Sequence, residues 1–183
     1  MSEHKNSQVI RDLIDRLSRL NAAEDWNGPL NPSQFAALSY LTRANRFSRA
    51  PSHVAEYLVT TRGTASQTLK ALARKGLICE SRSETDKRSI RYDVTDLGKD
   101  MMKAPSGLAN VIDDLPDEIV NGLTGSLKTL VREILKTRKG RSFGLCRTCA
   151  HHRKRGNEAY CNLLDVQLAP ADANEICHEH IAA

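Results

Sequence analysis

Four of the five cysteines stand near the C-terminal end, at Cys146, Cys149, Cys161 and Cys177. Cys146 and Cys149 form a CxxC, the spacing at which two thiolates can meet one metal ion. Cys161 and Cys177, with 15 residues between them, complete a set of four. Four thiolates suit a tetrahedral zinc ion. They also suit an iron–sulfur cluster, which would make the site a sensor of redox state or of iron. His151, His152, His178 and His180 lie close enough in sequence for one of them to replace a cysteine. A segment this short cannot bury much apolar core without such a staple. The start MSEHKNSQ is no signal peptide, so a cytoplasmic setting is expected, where disulfides are rare. A catalytic reading of the CxxC finds no support nearby: no βαβ pattern, no Gly-rich phosphate loop and no carboxylate pair. No enzyme is expected. A tail that docks a protein partner is a further alternative.

A second set of residues suggests a different chemistry. Residues 59–95 read VTTRGTASQTLKALARKGLICESRSETDKRSIRYDVT. Ala65, Leu69 and Leu72 recur at helical spacing, and Gly76 is placed to end that helix. The opposite face carries Gly63, Thr64, Gln67, Lys70 and Arg74, with Ser66 at its edge and Arg62 at its start. Small hydrogen-bonding groups come first and cations later. That gradient fits a helix entering the major groove of a duplex and leaving it past phosphates. Next, Ile90, Tyr92 and Val94 alternate with polar residues, the period of a half-buried strand, and Leu77 to Ser81 can pair with it. Between the strands lies RSETDKR, with Arg82, Lys87 and Arg88. A cationic hairpin tip beside such a helix can enter the minor groove. The fifth cysteine, Cys79, falls in the first strand and reads as a packing residue.

These groups need a frame. PSHVAEYL places Pro51 in a first helical turn with Val54, Ala55 and Leu58 on one side. A link of about four residues then leads to the next helix, the corner of a helix–turn–helix. Asn31, Pro32 and Gln34 read as a capped helix start. Val9, Ile10, Leu13, Ile14, Leu17 and Leu20 form one apolar stripe, which residues 21–30 should break at Gly28 and Pro29. Thr95 opens another helix, split by Pro105 and Gly107. Pro116 opens the last, striped with Ile119, Val120, Leu123, Leu127, Leu130, Val131, Ile134 and Leu135. Outer helices this apolar call for a partner. The stretch KTRKGRS that follows is a linker or an extra phosphate contact. The apolar run CNLLDVQL should pack the tail against itself or against the long helix.

Residues 31–98 resemble the MarR family of bacterial transcription regulators. The resemblance rests on NPSQFAALSYL, PSHVAEYL, TTRGTASQTLKALARKGLI, DKRS and TDLG, in that order. It implies a winged helix–turn–helix in which Asp86 orients Arg88 into the minor groove. It also implies a homodimer built by intertwined first and last helices, a small-molecule effector pocket between the dimerisation and DNA-binding parts, and repression as the default.

With 183 residues the chain allows one full domain and a small appendage. The expected layout is a mainly α domain with a small β wing over 1–140 and a metal-stapled module over 141–183. Loss of the metal should loosen that module and leave the rest folded. The net charge of +5 favours an anionic partner. Aromatic residues are only 4%, too few for base stacking along a single strand, so double-stranded operator DNA is the expected partner. No apolar run reaches the length of a membrane span.

Overall fold

The computed structural model describes residues 3–25, 28–82, 90–103, 107–138, 140–156 and 158–183. Helix α1 (Glu3–Asp25) carries the first stripe and ends within the stretch 21–30 expected to break it. Asn21 to Asp25 include two alanines, which favour a helix, and the chain breakers Gly28 and Pro29 come after them. Asn31 caps α2 (Pro32–Arg43) through a full capping box: its side chain accepts from the Gln34 N–H at 2.9 Å, and Gln34 accepts from the Asn31 N–H at 3.4 Å. Pro51 opens α3 (Pro51–Tyr57), and residues 58–61 turn the chain into α4 (Arg62–Arg74). The stripe Ala65, Leu69 and Leu72 faces inward, onto Leu38, Leu41 and Val54 of one apolar core.

The end of α4 fixes the start of the wing. Gly76 adopts a φ of +70°. Its N–H donates to Ala73 O, and the Leu77 N–H donates to Leu72 O, the paired bonds of a Schellman stop. Strands β1 (Ile78–Arg82) and β2 (Ile90–Val94) then pair antiparallel, from Ile78 opposite Val94 to Arg82 opposite Ile90. Thr95 caps α5 (Asp96–Met101) and its hydroxyl donates to Gly76 O at 2.7 Å. Gly98 is required there, because a Cβ would stand 2.2 Å from Leu77 O. Cys79 corrects the expectation of packing: it lies on the outer side of β1 and is exposed. The helix after the wing is split, with α6 spanning Gly107–Asp113.

Helix α7 (Asp117–Arg138) buries none of its residues within the chain. Its apolar stripe is open, as is that of α1: Leu127 is 51% exposed and Leu13 56%. Among the described residues, no helix is long and apolar enough to cross a membrane.

The tail folds as two small sheets. Strands β3 (Gly144–Leu145) and β7 (Ile176–Cys177) pair antiparallel, and β4 (His152–Arg155), β5 (Glu158–Cys161) and β6 (Val166–Leu168) form a meander. Cys146, Cys161, Leu168 and Cys177 make its core, with Phe47, Ala159 and Val166 against them. Leu163 and Leu164 stay exposed, so only part of the CNLLDVQL run packs.

The tail docks on the loop before α3 and on α3 itself. Ile176 belongs to the main core, and Phe143 packs edge-on to the rings of Tyr40 and Tyr57. The Asn45 N–H donates to Ile176 O at 2.9 Å, and the His178 N–H donates to Ser48 Oγ at 2.8 Å. Arg46 reaches Asp172 at 3.4 Å, and Arg141 reaches Glu56 at 3.6 Å.

Candidate functional site

Helix α4 presents Arg62, Gly63, Thr64, Gln67, Lys70 and Arg74 on its exposed side, with Ser66 half-buried at the edge. The inward stripe forces this: three positions at helical spacing are locked in the core, so their opposites face out. Thr61, which sequence reasoning left in the link, caps the helix by accepting from the Thr64 N–H at 3.1 Å. The hydroxyls of Thr61 and Thr64 lie 2.8 Å apart, so Thr64 is partly committed to the helix start. The first turn holds no acidic residue, so the positive end of the helix dipole is uncompensated and Arg62 adds to it. Such an end attracts phosphate. A Cβ at Gly63 would meet only Thr61 Oγ1, at 3.8 Å, so no close contact within the chain demands glycine there.

Asp86, Lys87 and Arg88 fall within 83–89, outside the described residues, while the strands that carry them are set firmly. Arg49, which nothing in the local pattern marks, does this. It donates to Ala44 O at 2.9 Å and to Asp93 of β2 at 3.0 Å, and its own carbonyl accepts from the Tyr92 N–H. Asp93 in turn accepts from Ser81 of β1 at 2.7 Å. Burial alone would push the Asp93 carboxyl up, but the hydrogen bonds from Ser81 and Arg49 and the charges of Arg91 and Arg49 outweigh it and hold the carboxyl below its ordinary value.

The four tail cysteines are all buried and all free of disulfides. The Cys149 N–H donates to Cys146 O at 3.0 Å, closing the CxxC into a tight turn, and the Ile181 N–H points to Cys149 Sγ at 3.4 Å. Burial pushes the Cys146 thiol up to about 12, with further contributions from Cys177, Cys161, Cys149 and Asp172. Among the described residues, no group of three or more His, Cys, Asp or Glu side chains stands ready-made to hold an ion. Two of the four tail histidines are engaged elsewhere. The His178 ring stacks on His53 at 3.6 Å between centroids and reaches Glu56 at 3.0 Å. His180 bonds Ser142 at 2.7 Å and Thr148 at 2.9 Å. His152 sits opposite Cys161 in the β4–β5 register.

Two buried polar atoms beside this cluster have no hydrogen-bond partner, Asn45 Nδ2 and His152 Nε2. Asn45 is 1% exposed. Its side-chain oxygen accepts from the Phe47 N–H at 3.2 Å and the Ser48 hydroxyl at 2.7 Å, which leaves the amide nitrogen turned to Cys177. Sequence reasoning missed Asn45 altogether, since its meaning depends on a sulfur far along the chain.

A seam pocket of about 360 Å³ runs beside the dock, lined by His53, Glu56, Thr60, Arg62, Arg141 and His178. The tail thus borders the N-terminal end of α4.

Comparison with known proteins places this geometry. The model of the MarR family matches residues 29–89. No curated protein matches the chain. A MarR transcriptional regulator from Methanosarcina mazei is similar at 24% identity and a TM-score of 0.58, over 71% of this chain and 99% of its own. A MarR family protein from Bacillus stearothermophilus is similar at 21% identity and a TM-score of 0.58, over 73% of this chain and 98% of its own. The S. aureus MepR–DNA complex is similar at 19% identity and a TM-score of 0.54, over 69% of this chain and 96% of its own. At such identities the likeness is one of fold. Residues 29–89 match the MarR family model, and the fold around them is similar to that of MarR-type structures.

Proposed function

We propose that the protein is a MarR-type transcriptional regulator, not an enzyme, and that it binds double-stranded operator DNA in the cytoplasm as a homodimer. The observation that carries this is the exposed polar face of α4, opened by an uncompensated helix end and flanked by a braced two-stranded wing. Thr64, Ser66, Gln67 and Lys70 read the major groove. Arg88, oriented by Asp86, enters the minor groove. Arg62, Arg74 and Lys87 hold phosphates. MepR is solved in complex with DNA, which supports the same use of the fold here. The regulator acts as a repressor that a small-molecule or other signal releases. Residues 1–140 form its DNA-binding and dimerisation part and 141–183 its appendage.

The appendage holds a metal through Cys146, Cys149, Cys161 and Cys177, with zinc as the leading candidate and an iron–sulfur cluster as the alternative. What supports this is the chemistry of the donor set, four buried free thiols within one small module. A bound cation would favour the thiolates that burial disfavours and would tie the two small sheets together. The absorbance of anaerobically purified protein separates a colourless zinc site from a coloured cluster.

Selection from a randomised duplex library tests the DNA reading. One sequence, or a near-palindromic pair of half-sites, should be enriched. Against the selected duplex, Gln67→Ala and Arg88→Ala should each cost on the order of 1–3 kcal/mol. Lys70→Ala should weaken binding too, and if it holds phosphate more than base it should also reduce the salt dependence by about one counterion. No enrichment at any salt concentration ends the reading. A further result distinguishes a nucleic-acid face from an ordinary helix surface. Gly63→Ala should raise thermal stability by about 0.4–1 kcal/mol, because it restricts the unfolded chain at an uncrowded site. The same change should weaken duplex binding, because a methyl group then stands where the DNA approaches. Tighter binding by the more stable variant would remove Gly63 from the interface.

A further inference from the structure

The tail carries three consecutive cations, Arg153, Lys154 and Arg155, that neither the reading helix nor the cysteine cluster uses. They lie on β4, and all three are exposed. Among the described residues none of them forms an ion pair with a carboxylate. The register decides which way they point. Arg153 stands opposite Tyr160, Arg155 opposite Glu158, and Tyr160 opposite Gln167. Ala159, Cys161, Val166 and Leu168 take the alternate positions and pack into the tail core. Side chains alternate across a strand, so Arg153, Arg155, Tyr160 and Gln167 share the outer face of the meander. The Arg155 guanidinium lies over the Tyr160 ring, 3.5 Å from its centroid, and the Tyr160 hydroxyl donates to Asp165 at 2.5 Å. The ring is thus a fixed shelf for a cation, and one of its faces is closed to a base. A face of held arginines with little free aromatic surface suits the phosphates of a duplex, not the bases of a single strand. Two carboxylates border it: Glu158, opposite Arg155, and Asp165, which Tyr160 occupies. The face is also anchored. Arg46, in the loop before α3, donates to Gln167 O at 3.1 Å and reaches Asp172 at 3.4 Å. The β6 edge is thereby tied to the segment that leads into the helix–turn–helix.

We infer that the outer face of the meander, through Arg153, Lys154 and Arg155, is a second contact for duplex DNA, taken by phosphates that flank the operator. This rests on the reading of the chain as an operator-binding protein. Charge complementarity selects the occupant: three cations without ion-pair partners meet a row of phosphates. Contacts of this kind carry no sequence information and fix position instead. They add affinity and salt dependence, because each neutralised phosphate releases condensed counterions. The tail thus lengthens the footprint beyond the base pairs that α4 and the wing read.

The test uses the full-length protein and two duplexes. One is the selected operator core alone. The other is the same core with about 10 added base pairs of arbitrary sequence at each end, roughly one helical turn. The wild type should bind the longer duplex about tenfold more tightly at moderate salt, and with a steeper salt dependence. Arg153→Gln, Lys154→Gln and Arg155→Gln together should remove most of that gain and leave binding to the core unchanged. On the longer duplex they should lower the salt slope by about two to three per chain. Arg153→Lys with Arg155→Lys keeps the charge and should keep the slope. Glu158→Gln removes a carboxylate from the face and should tighten binding to the longer duplex about twofold, which keeps the test open if the triple variant folds poorly. A wild type that binds neither duplex refutes operator binding itself. Operator binding with no gain from the added flanks refutes the second contact and leaves the operator reading standing. A gain that survives in the triple variant refutes the role of β4. A triple variant that loses a single strand of equal length but keeps the longer duplex overturns the assignment to duplex DNA.

Discussion

Removing residues 141–183 is expected to destabilise the winged-helix body by about 3–6 kcal/mol. Two apolar side chains of the tail, Phe143 and Ile176, lie in or against the main core. Burying a side chain of that size contributes about 1.5–3 kcal/mol. The loss is a large share of the ~5–15 kcal/mol by which whole domains are stable. It would also open Tyr40 and Ala44, both fully buried in the intact chain, to water. The sequence leads one to expect a module whose loosening leaves the rest folded, and the shared core adds that the rest is then less stable. Chemical denaturation of the truncated and intact chains measures the difference. Equal midpoints and slopes would mean that the dock contributes nothing and that the module is a passenger.

Leu127→Asp is expected to abolish assembly. In solution the wild type should have a mass near twice 20.3 kDa. The stripes of α1 and α7 lie open in a single chain, and a surface of that extent is rarely left to water. If two copies cover them, an aspartate at the centre of the stripe buries a charge with no partner, at a cost of several kcal/mol. Leu13→Asp should act in the same way on the other helix. Loss of the dimer removes one of two half-site contacts, so duplex affinity should collapse by orders of magnitude rather than by a small factor. Sedimentation at micromolar concentration, on wild type and variants, provides the measurement. A wild-type chain that sediments as a folded monomer contradicts the dimer. A Leu127→Asp variant that stays dimeric moves the interface elsewhere.

Local physics made most of the body legible. The inward stripe of α4, the glycine stop at Gly76, the caps at Asn31 and Thr95 and the prolines at 51 and 116 each act within a few residues, so spacing alone locates them. The exposed face of α4 followed from the same stripe. One local reading failed for a local reason. Cys79 faces out because it alternates with the buried Ile78 in β1. What remained illegible is the dock. Asn45, Ser48 and Arg49 form a loop without periodicity, and their partners in the wing and the tail lie 43 to 131 residues away. No pattern within a window of the chain connects Asn45 with Cys177. The thiols themselves were legible because cysteine spacing is unusual, yet the element that holds them in place was not.

The dock also has a mechanical side. The chain leaves α7 at Arg138 and is anchored on the body again by Phe143, five residues later. Five residues span at most about 18 Å when fully extended. The far end of the long helix is therefore leashed to the reading head by a strap it cannot outreach. In a twofold pair whose stalk is made of the long helices, each head can swing only as far as its own strap allows. In the proposed dimer, the gap between the two heads, and with it the range of half-site separations the pair could straddle, would be bounded by chain length as well as by helix packing. Inserting a few glycines into residues 139–142 would lengthen the leash without touching any reading residue, and tolerance for mis-spaced half-sites should widen accordingly.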